Sequence, residues 1–565
     1  MLTYKINLVK TTPVQYIIVG LIIIVYAGTF AIPLIDNDAA HHANIAMHMY
    51  KTGDYHSLID RGNPYLDKPH FLFWVAAFSF EIFGVTTFAY RLPALLFGIV
   101  SVVSVYKLTR HLSDTTTAKL AALILATSQA FIFSIIDARM EAPLTAAIAF
   151  GIWQLTVYID NRKLINLLLA AMGAAIAFDT KGWIGTAIIL ITCFIKILIE
   201  KKWSVFVDVK TWLFIPLFAL GISPVLYSYY LQYDLHPEIK VRGMNGISGV
   251  AFILWNQNLE RFTGHNWVKG GRYSNPLFLY HTFLWSFAPW CIAACISVWY
   301  WLRRFFYLKK NHSVTYLALA FAVILFIISF SNFKMPHYIL MLFPLAAVFT
   351  ALYLRLALST RWIRFYFPLH VGLGYLVIIA VIILNFYFFK PVNDFVAVLG
   401  TSLLITLFIL LTFKDPNRAA KVIYVSLMLS VTLNFFMTFN FFPNLMQYQG
   451  GNKLAKMIAR SGKQYPAADI QLLDPNSHSF DFYTTSNHAL ISIDSLIKSG
   501  KASTDGKYFL LTSSMKRRLE DSSFIVQPRL MSANYQVSTV KLKFLSKATR
   551  VAACDSLMLT TVSKK

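Results

Sequence analysis

The segment DNDAAHHANIAMHMYKTGDYHSLIDRGNPYLDKP, residues 36–69, follows a long apolar run directly and carries carboxylates, histidines and a lysine. A chain that used its apolar runs only as anchors would need none of these there. The run before it, residues 14–35, is long enough to cross a bilayer as a helix. Lys5 and Lys10 precede it in the manner of a signal peptide. The run exceeds a usual signal core, however, and no clear cleavage site follows, so it reads as a retained first transmembrane helix.

Composition supports that reading along the whole chain. Of 565 residues 57% are hydrophobic and only 14% charged, against roughly 25% charged in an ordinary soluble domain. This is the composition of a polytopic membrane protein. The formal charge of +25 does not point to nucleic acid, because the basic residues fall in short clusters between apolar runs. Cys193, Cys291 and Cys295 lie inside apolar runs and Cys554 near the end. Their spacing indicates neither a disulfide framework nor a zinc cluster.

Counting apolar windows of spanning length gives about thirteen candidate helices, at 14–35, 91–110, 117–136, 141–159, 164–178, 182–199, 212–231, 278–302, 314–331, 338–357, 366–389, 395–413 and 422–441. With the N-terminus in the cytoplasm, every inner connection is basic: Lys107/Arg110/Lys119, Arg162/Lys163, Lys201/Lys202/Lys210, Arg303/Arg304/Lys309/Lys310, Arg361/Arg364 and Lys414/Arg418/Lys421. The positive-inside rule predicts that pattern. Phe71 to Phe83 is too short to span comfortably and reads as a re-entrant or interfacial helix on the outer side. Residues 445–565 then lie outside. Their polar turns separate short strand-like runs, Ile470–Leu473, Leu490–Ile493 and Tyr508–Thr512, which predicts a small α/β domain after a transmembrane domain of residues 1–444.

The same topology gathers the acidic and histidine clusters on the outer face. Asp36 and Asp38 stand just past the first span, ahead of a predicted helix from Ala39 to Tyr50 whose first turn puts His41 and His42 within reach of Asp38. Asp38 suits an N-cap and equally a general base toward an acceptor hydroxyl. Lys68 offers a compact cation for phosphate, or snorkels at the interface. Asp137, Arg139 and Glu141 open a span, where carboxylates are costly and point to function unless Arg139 simply pairs with them. The outer loop of residues 232–275 brings Arg261, His265 and Arg272, and Lys334, His337 and Tyr338 stand at the mouth of a further span. A basic, aromatic outer loop suits a lipid-linked phosphate.

As a set these motifs resemble the bacterial integral-membrane glycosyltransferases of the C-type fold, in particular the lipid A aminoarabinose transferases and, more distantly, the protein O-mannosyltransferases. The resemblance rests on Asp38 with Ala43-Asn44-Ile45-Ala46, on Pro64-Tyr65-Leu66-Asp67-Lys68-Pro69, on Ala89-Tyr90-Arg91-Leu92-Pro93, on Glu141-Ala142-Pro143-Leu144, on Thr180-Lys181-Gly182 and on Ser331 through Tyr338. It implies a mostly α transmembrane bundle in the bacterial inner membrane with a periplasmic active site and C-terminus. The implied donor is a polyprenyl-phosphate sugar and the implied acceptor a lipid A-like glycolipid, a protein hydroxyl or another envelope molecule, with inversion at the sugar carbon. By the same resemblance Asp38 is the catalytic carboxylate and Glu141 the second acid of the cavity. Lys68 and Arg261 contact the carrier phosphate, with Arg272, Lys181, Lys334, His337, Tyr338, Asp36 and Arg91 as further substrate contacts. Asp67 and His265 match positions that hold a divalent ion, zinc or magnesium, in some members. Two departures stand out: His70 where the family commonly has a second proline, which adds His70 to the metal or phosphate site, and His41-His42 where it often has Arg-Tyr, which alters the acceptor pocket. A lipid-linked sugar flippase is the alternative class, although no two halves of the chain match as inverted repeats would.

Overall fold

The computed structural model describes residues 13–36, 38–263, 275–309, 312–357, 363–413, 418–474, 476–499 and 507–564. Helix α1 (Pro13–Gly28) leads to α2 (Asp38–Thr52), which starts on Asp38 itself. A two-residue hairpin follows, β1 (Ile59–Asp60) against β2 (Asn63–Pro64). Both turn residues, Arg61 and Gly62, have positive φ (49° and 80°), which two-residue hairpin loops of this twist require. Helix α3 (Phe71–Phe83) is the short apolar element expected on the outer side.

The bundle then runs through α4 (Thr87–Leu112), α5 (Thr115–Ala126), α6 (Gln129–Ile136), α7 (Glu141–Asn161), α8 (Leu164–Lys181) and α9 (Trp183–Glu200). Helices α7 and α8 approach closely because glycines face each other. A Cβ on Gly173 would lie 3.0 Å from the backbone of Gly151. Small residues at the contact are the usual means of close helix packing where water supplies no hydrophobic drive.

Among the described residues nine helices are long and apolar enough to cross a membrane, or ten with α5 and α6 taken as one span bent by 54°. The count of thirteen is therefore not reproduced, for identifiable reasons. The runs at 14–35 and 314–331 form shorter apolar helices, Gln15–Ala31 and Thr315–Ser329. The run at 278–302 is broken into Phe278–Ser286 and Cys291–Phe306. Pro289 lies in the break, where a residue without an amide hydrogen cannot continue a helical ladder.

Beyond the bundle a four-stranded sheet has the order β3-β4-β6-β5, built from β3 (Ile470–Leu472), β4 (Tyr508–Thr512), β5 (Phe524–Asn534) and β6 (Asp555–Lys564). Only the β3–β4 pair is parallel. Leu557 and Leu559 of β6 enter one core and Met558 and Val562 the other, the alternation a strand buried on both faces produces. Two of the expected strands are present, while Leu490 makes only an isolated bridge to Leu472.

This domain clamps the segment that follows α1. Gln449 accepts from the Asp36 backbone amide at 2.9 Å and donates to the Leu34 carbonyl at 2.8 Å. The Asp36 carboxylate accepts from the Ser479 amide (2.6 Å) and hydroxyl (3.0 Å). Arg61 Nε donates to Asp481 at 2.6 Å, both side chains being almost wholly buried. Tyr483 accepts from the Leu34 amide at 2.8 Å.

Candidate active site

Helix α7 separates the two charged faces of the bundle. Its first residue is Glu141, while near its far end Asp160 pairs with Lys196 at 3.2 Å and with Lys202. At 1.5 Å per residue these ends are about 30 Å apart. The outer-face motifs converge at the Glu141 end.

Asp38 stands at the start of α2, where the orphan amides of a helix N-terminus favour a carboxylate. Arg139 Nη1 donates to Asp38 Oδ2 at 2.8 Å and its other terminal nitrogen pairs with Asp137. The two aspartates differ in access: the Asp38 side chain is 44% exposed and that of Asp137 3%. Asp38 is thus the carboxylate a substrate can reach. Burial works against its charge, but Arg139 above all, with Lys68 further off, holds the carboxyl below the usual aspartate range.

A second ion pair lies behind it. Lys181, at the end of α8, donates to Glu141 Oε1 at 2.8 Å, and the two side chains are 3% and 6% exposed. His337 Nε2 is 3.4 Å from the same oxygen and its Nδ1 3.5 Å from Arg139. Lys181 also sits 4.2 Å above the Tyr338 ring, a cation–π arrangement. Glu141, Lys181, His337 and Tyr338 therefore meet at one place, linked to Asp38 through Arg139.

Asp67 is the hub of the third cluster. It pairs with Lys68, with Arg261 at 2.9 Å and with Arg242 at 3.6 Å. Gln257 donates to its backbone carbonyl at 2.7 Å. Burial opposes the Asp67 charge, yet Lys68, Arg261 and Arg242 together hold the carboxyl far below the usual range. Arg242 also pairs with Glu260 at 3.3 Å, so three cations face two carboxylates and one positive charge is left in excess, which suits an incoming phosphate. The sequence reading missed Arg242 and Gln257; the basic outer loop of residues 232–275 was the available signal for Arg242.

Of the two residues implied to hold a metal, only Asp67 lies among the described residues. A divalent ion at Asp67 would compete with three cations already engaged there, and among the described residues no three His, Cys, Asp or Glu side chains are grouped to hold one. His265 and Arg272 lie outside the described residues.

Four expectations are corrected by position. Arg91 is completely buried and spends its guanidinium on the carbonyls of Ile136, Thr29, Ile32 and Pro33, which makes it a brace between α4 and the chain entering α2. Asp36 faces Ser479 of the C-terminal domain instead of the Asp38 cluster. Lys334 is buried with Nζ 2.6 Å from the Ser329 carbonyl. His70 is fully buried, with Nε2 2.8 Å from the His56 carbonyl and its ring against Tyr229, so its Nε2 serves the loop of residues 53–58.

The fold has counterparts among proteins of known sequence and structure. A family profile described as dolichyl-phosphate-mannose-protein mannosyltransferase matches residues 67–228. An undecaprenyl phosphate-alpha-4-amino-4-deoxy-L-arabinose arabinosyl transferase of Pseudomonas aeruginosa is 23% identical over 345 residues, 58% of each chain. One from Pseudomonas fluorescens is 25% identical over 411 residues, 70% of this chain and 66% of that one. An uncharacterised protein of Aquifex aeolicus is 25% identical over 317 residues, 55% of this chain and 57% of its own. This chain thus spans a little under three-fifths of the length of the Pseudomonas aeruginosa and Aquifex relatives and about two-thirds of the Pseudomonas fluorescens one. The crystal structure of ArnT from Cupriavidus metallidurans bound to undecaprenyl phosphate superposes with a TM-score of 0.72 at 16% identity, covering 91% of this chain and 96% of that one. Its apo form gives 0.71, covering 96% and 97%. The chain has the C-type fold of integral-membrane glycosyltransferases. Within that class it resembles the aminoarabinose transferases and protein mannosyltransferases.

Proposed function

We propose that this protein is a glycosyltransferase that moves a sugar from a polyprenyl-phosphate carrier to an acceptor at the outer face of the bacterial inner membrane. The observation that carries the reading is the placing of an open carboxylate, Asp38, beside the cation cluster of Lys68, Arg261 and Arg242 around Asp67. The carrier phosphate binds Lys68 and Arg261. An acceptor oxygen attacks the anomeric carbon, and the bond from that carbon to the phosphate oxygen breaks with its electron pair on the phosphate, whose charge the cations stabilise. With a hydroxyl acceptor the proton passes to Asp38. With a phosphate acceptor no proton is removed, and Asp38 orients the acceptor or stabilises positive charge at the anomeric carbon. A single displacement inverts that carbon.

A lipid A-like glycolipid is the favoured acceptor, since curated relatives are named as aminoarabinose transferases; a protein hydroxyl is the second. The basic connections support a cytoplasmic N-terminus, with the site and the C-terminal domain in the periplasm. The test uses proteoliposomes and undecaprenyl phosphate carrying a labelled sugar. Release of free undecaprenyl phosphate, with label moved to lipid A or to protein, supports transfer. Label that crosses the bilayer on an intact carrier identifies a flippase and overturns the reading. Mass spectrometry of envelope glycolipids from a deletion strain then separates the acceptors.

A further inference from the structure

The paired histidines of α2 are joined by a third from the far end of the chain. On α2, His41 and His42 stand three and four residues after Asp38, on the same helix face. Their rings stack with centroids 5.6 Å apart and an interplanar angle of 24°. His478, the first residue of the His478–Thr484 helix, also stacks on His41, at 4.5 Å and 22°. Asn44 of α2 donates to the His478 carbonyl at 2.8 Å, which fixes the third ring in place. Asp60 lies 3.0 Å from His41, and the edge of Tyr65 closes the group, with its hydroxyl 3.4 Å from His42 Nε2.

Polar atoms in this cluster are buried without partners: His42 Nδ1, His478 Nδ1 and Asp60 Oδ1. The His42 residue is only 3% exposed. A buried polar atom without a hydrogen bond is costly, so three in one cluster point to a ligand that supplies the missing bonds. Burial holds His42 and His478 at about 3, uncharged at neutral pH. Uncharged imidazoles do not select an anion. Stacked aromatic rings beside a carboxylate and neutral ring nitrogens instead suit the apolar face and hydroxyls of a sugar. Lys68 of the cation cluster and the carboxylate of Asp38 both lie within electrostatic reach of His42.

We propose that this imidazole shelf binds the donor's sugar ring, and that His478 is the residue through which the C-terminal domain takes part in choosing that sugar. The inference rests on the donor reading above. His478 touches the sugar and not the phosphate, so it sets the preference for loaded over bare carrier.

The full chain in nanodiscs is titrated with bare undecaprenyl phosphate and with undecaprenyl phosphate carrying 4-amino-4-deoxy-arabinose, mannose, glucose or arabinofuranose. The wild type is expected to prefer at least one loaded carrier over the bare one. In His478→Ala that preference falls by about tenfold, the effect of losing roughly one hydrogen bond, while the bare carrier binds within about twofold of the wild type. His478→Asn, which keeps a polar group near the Nδ1 position, recovers most of the preference. Equal weakening of bare and loaded carrier would mean a merely structural histidine and overturns the inference. So does an unchanged preference, a wild type without any, or an effect confined to acceptor affinity in the turnover assay. A wild type that neither binds the bare carrier nor releases it overturns the donor reading itself.

Discussion

Arg139 ties Asp38 to Asp137, so that one guanidinium serves an accessible carboxylate at 2.8 Å and a buried one behind it. The arrangement fixes the direction of Asp38 and keeps it ionised. Asp38→Asn preserves shape and removes charge. Transfer should fall by at least about a hundredfold, the usual scale for a lost general base, while bare undecaprenyl phosphate still binds. Near-normal turnover by this variant would take Asp38 out of the mechanism.

The same contact governs the pH profile. Burial raises the Asp38 pKa, but Arg139 together with its other charged neighbours holds it below the usual aspartate range, so its carboxylate survives acidification that would protonate an ordinary aspartate. Transfer by the wild type should show no acid limb near pH 4 attributable to Asp38. Replacing Arg139 with methionine removes the main force lowering that pKa, and the acid limb should move up in pH. The variant also strands Asp137, so a loss of about 3 kcal/mol in stability is expected, partly restored by Asp137→Asn. An unmoved limb in the doubly substituted protein would separate Asp38 titration from activity.

Lys68→Ala and Arg261→Ala should each weaken binding of undecaprenyl phosphate by roughly 10- to 100-fold, the loss expected for one hydrogen bond to a charged group. Asp67→Asn acts differently, because it leaves the cations and removes what orders them. A smaller loss of affinity with a stronger dependence on salt is expected, read by titration at two ionic strengths.

Glu141 and Lys181 are buried against each other, and removing one leaves a charge without its partner. Lys181→Met should cost about 3–5 kcal/mol. The double variant Glu141→Gln, Lys181→Met should regain much of that in a thermal unfolding assay yet remain poor in transfer. Full activity in the double variant would reduce the pair to scaffolding.

Asp36 reports on the docking of the C-terminal domain. Burial, against the two hydrogen bonds from Ser479, pushes its carboxyl up to about 7. The folded protein therefore holds this proton more tightly than the unfolded chain, where an aspartate titrates near pH 4. The stability gained is complete below about pH 4 and is lost as pH rises through about 7. Limited proteolysis between bundle and domain should accelerate from roughly pH 6 to pH 8, and Asp36→Asn should flatten that change.

Much of this was legible in the residues. Apolar length and basic connections located the bundle and brought Asp38, Lys68, Glu141, Lys181, Arg261 and His337 to one face, because period and charge are local properties of a membrane chain. Arg91 was misread because a charged residue inside an apolar run looks functional until the carbonyls it braces are known. Those carbonyls lie about 45 to 62 residues away. The broken 278–302 run escaped because hydropathy does not register a helix break that a single proline and tertiary packing permit. His478 and Asp481 were out of reach for a related reason: their partners on α2 and the β1–β2 turn precede them by more than 400 residues.

That last separation has a consequence for the order of events during synthesis. Asp38, Lys68 and the residues matched by the family profile leave the ribosome long before His478 and Ser479 do. The bundle can enter the bilayer helix by helix, but the histidine shelf stays unfinished until nearly the whole polypeptide is made. Chains cut short before residue 478 would hold the membrane and the phosphate-binding cations without the stack that the C-terminal domain completes.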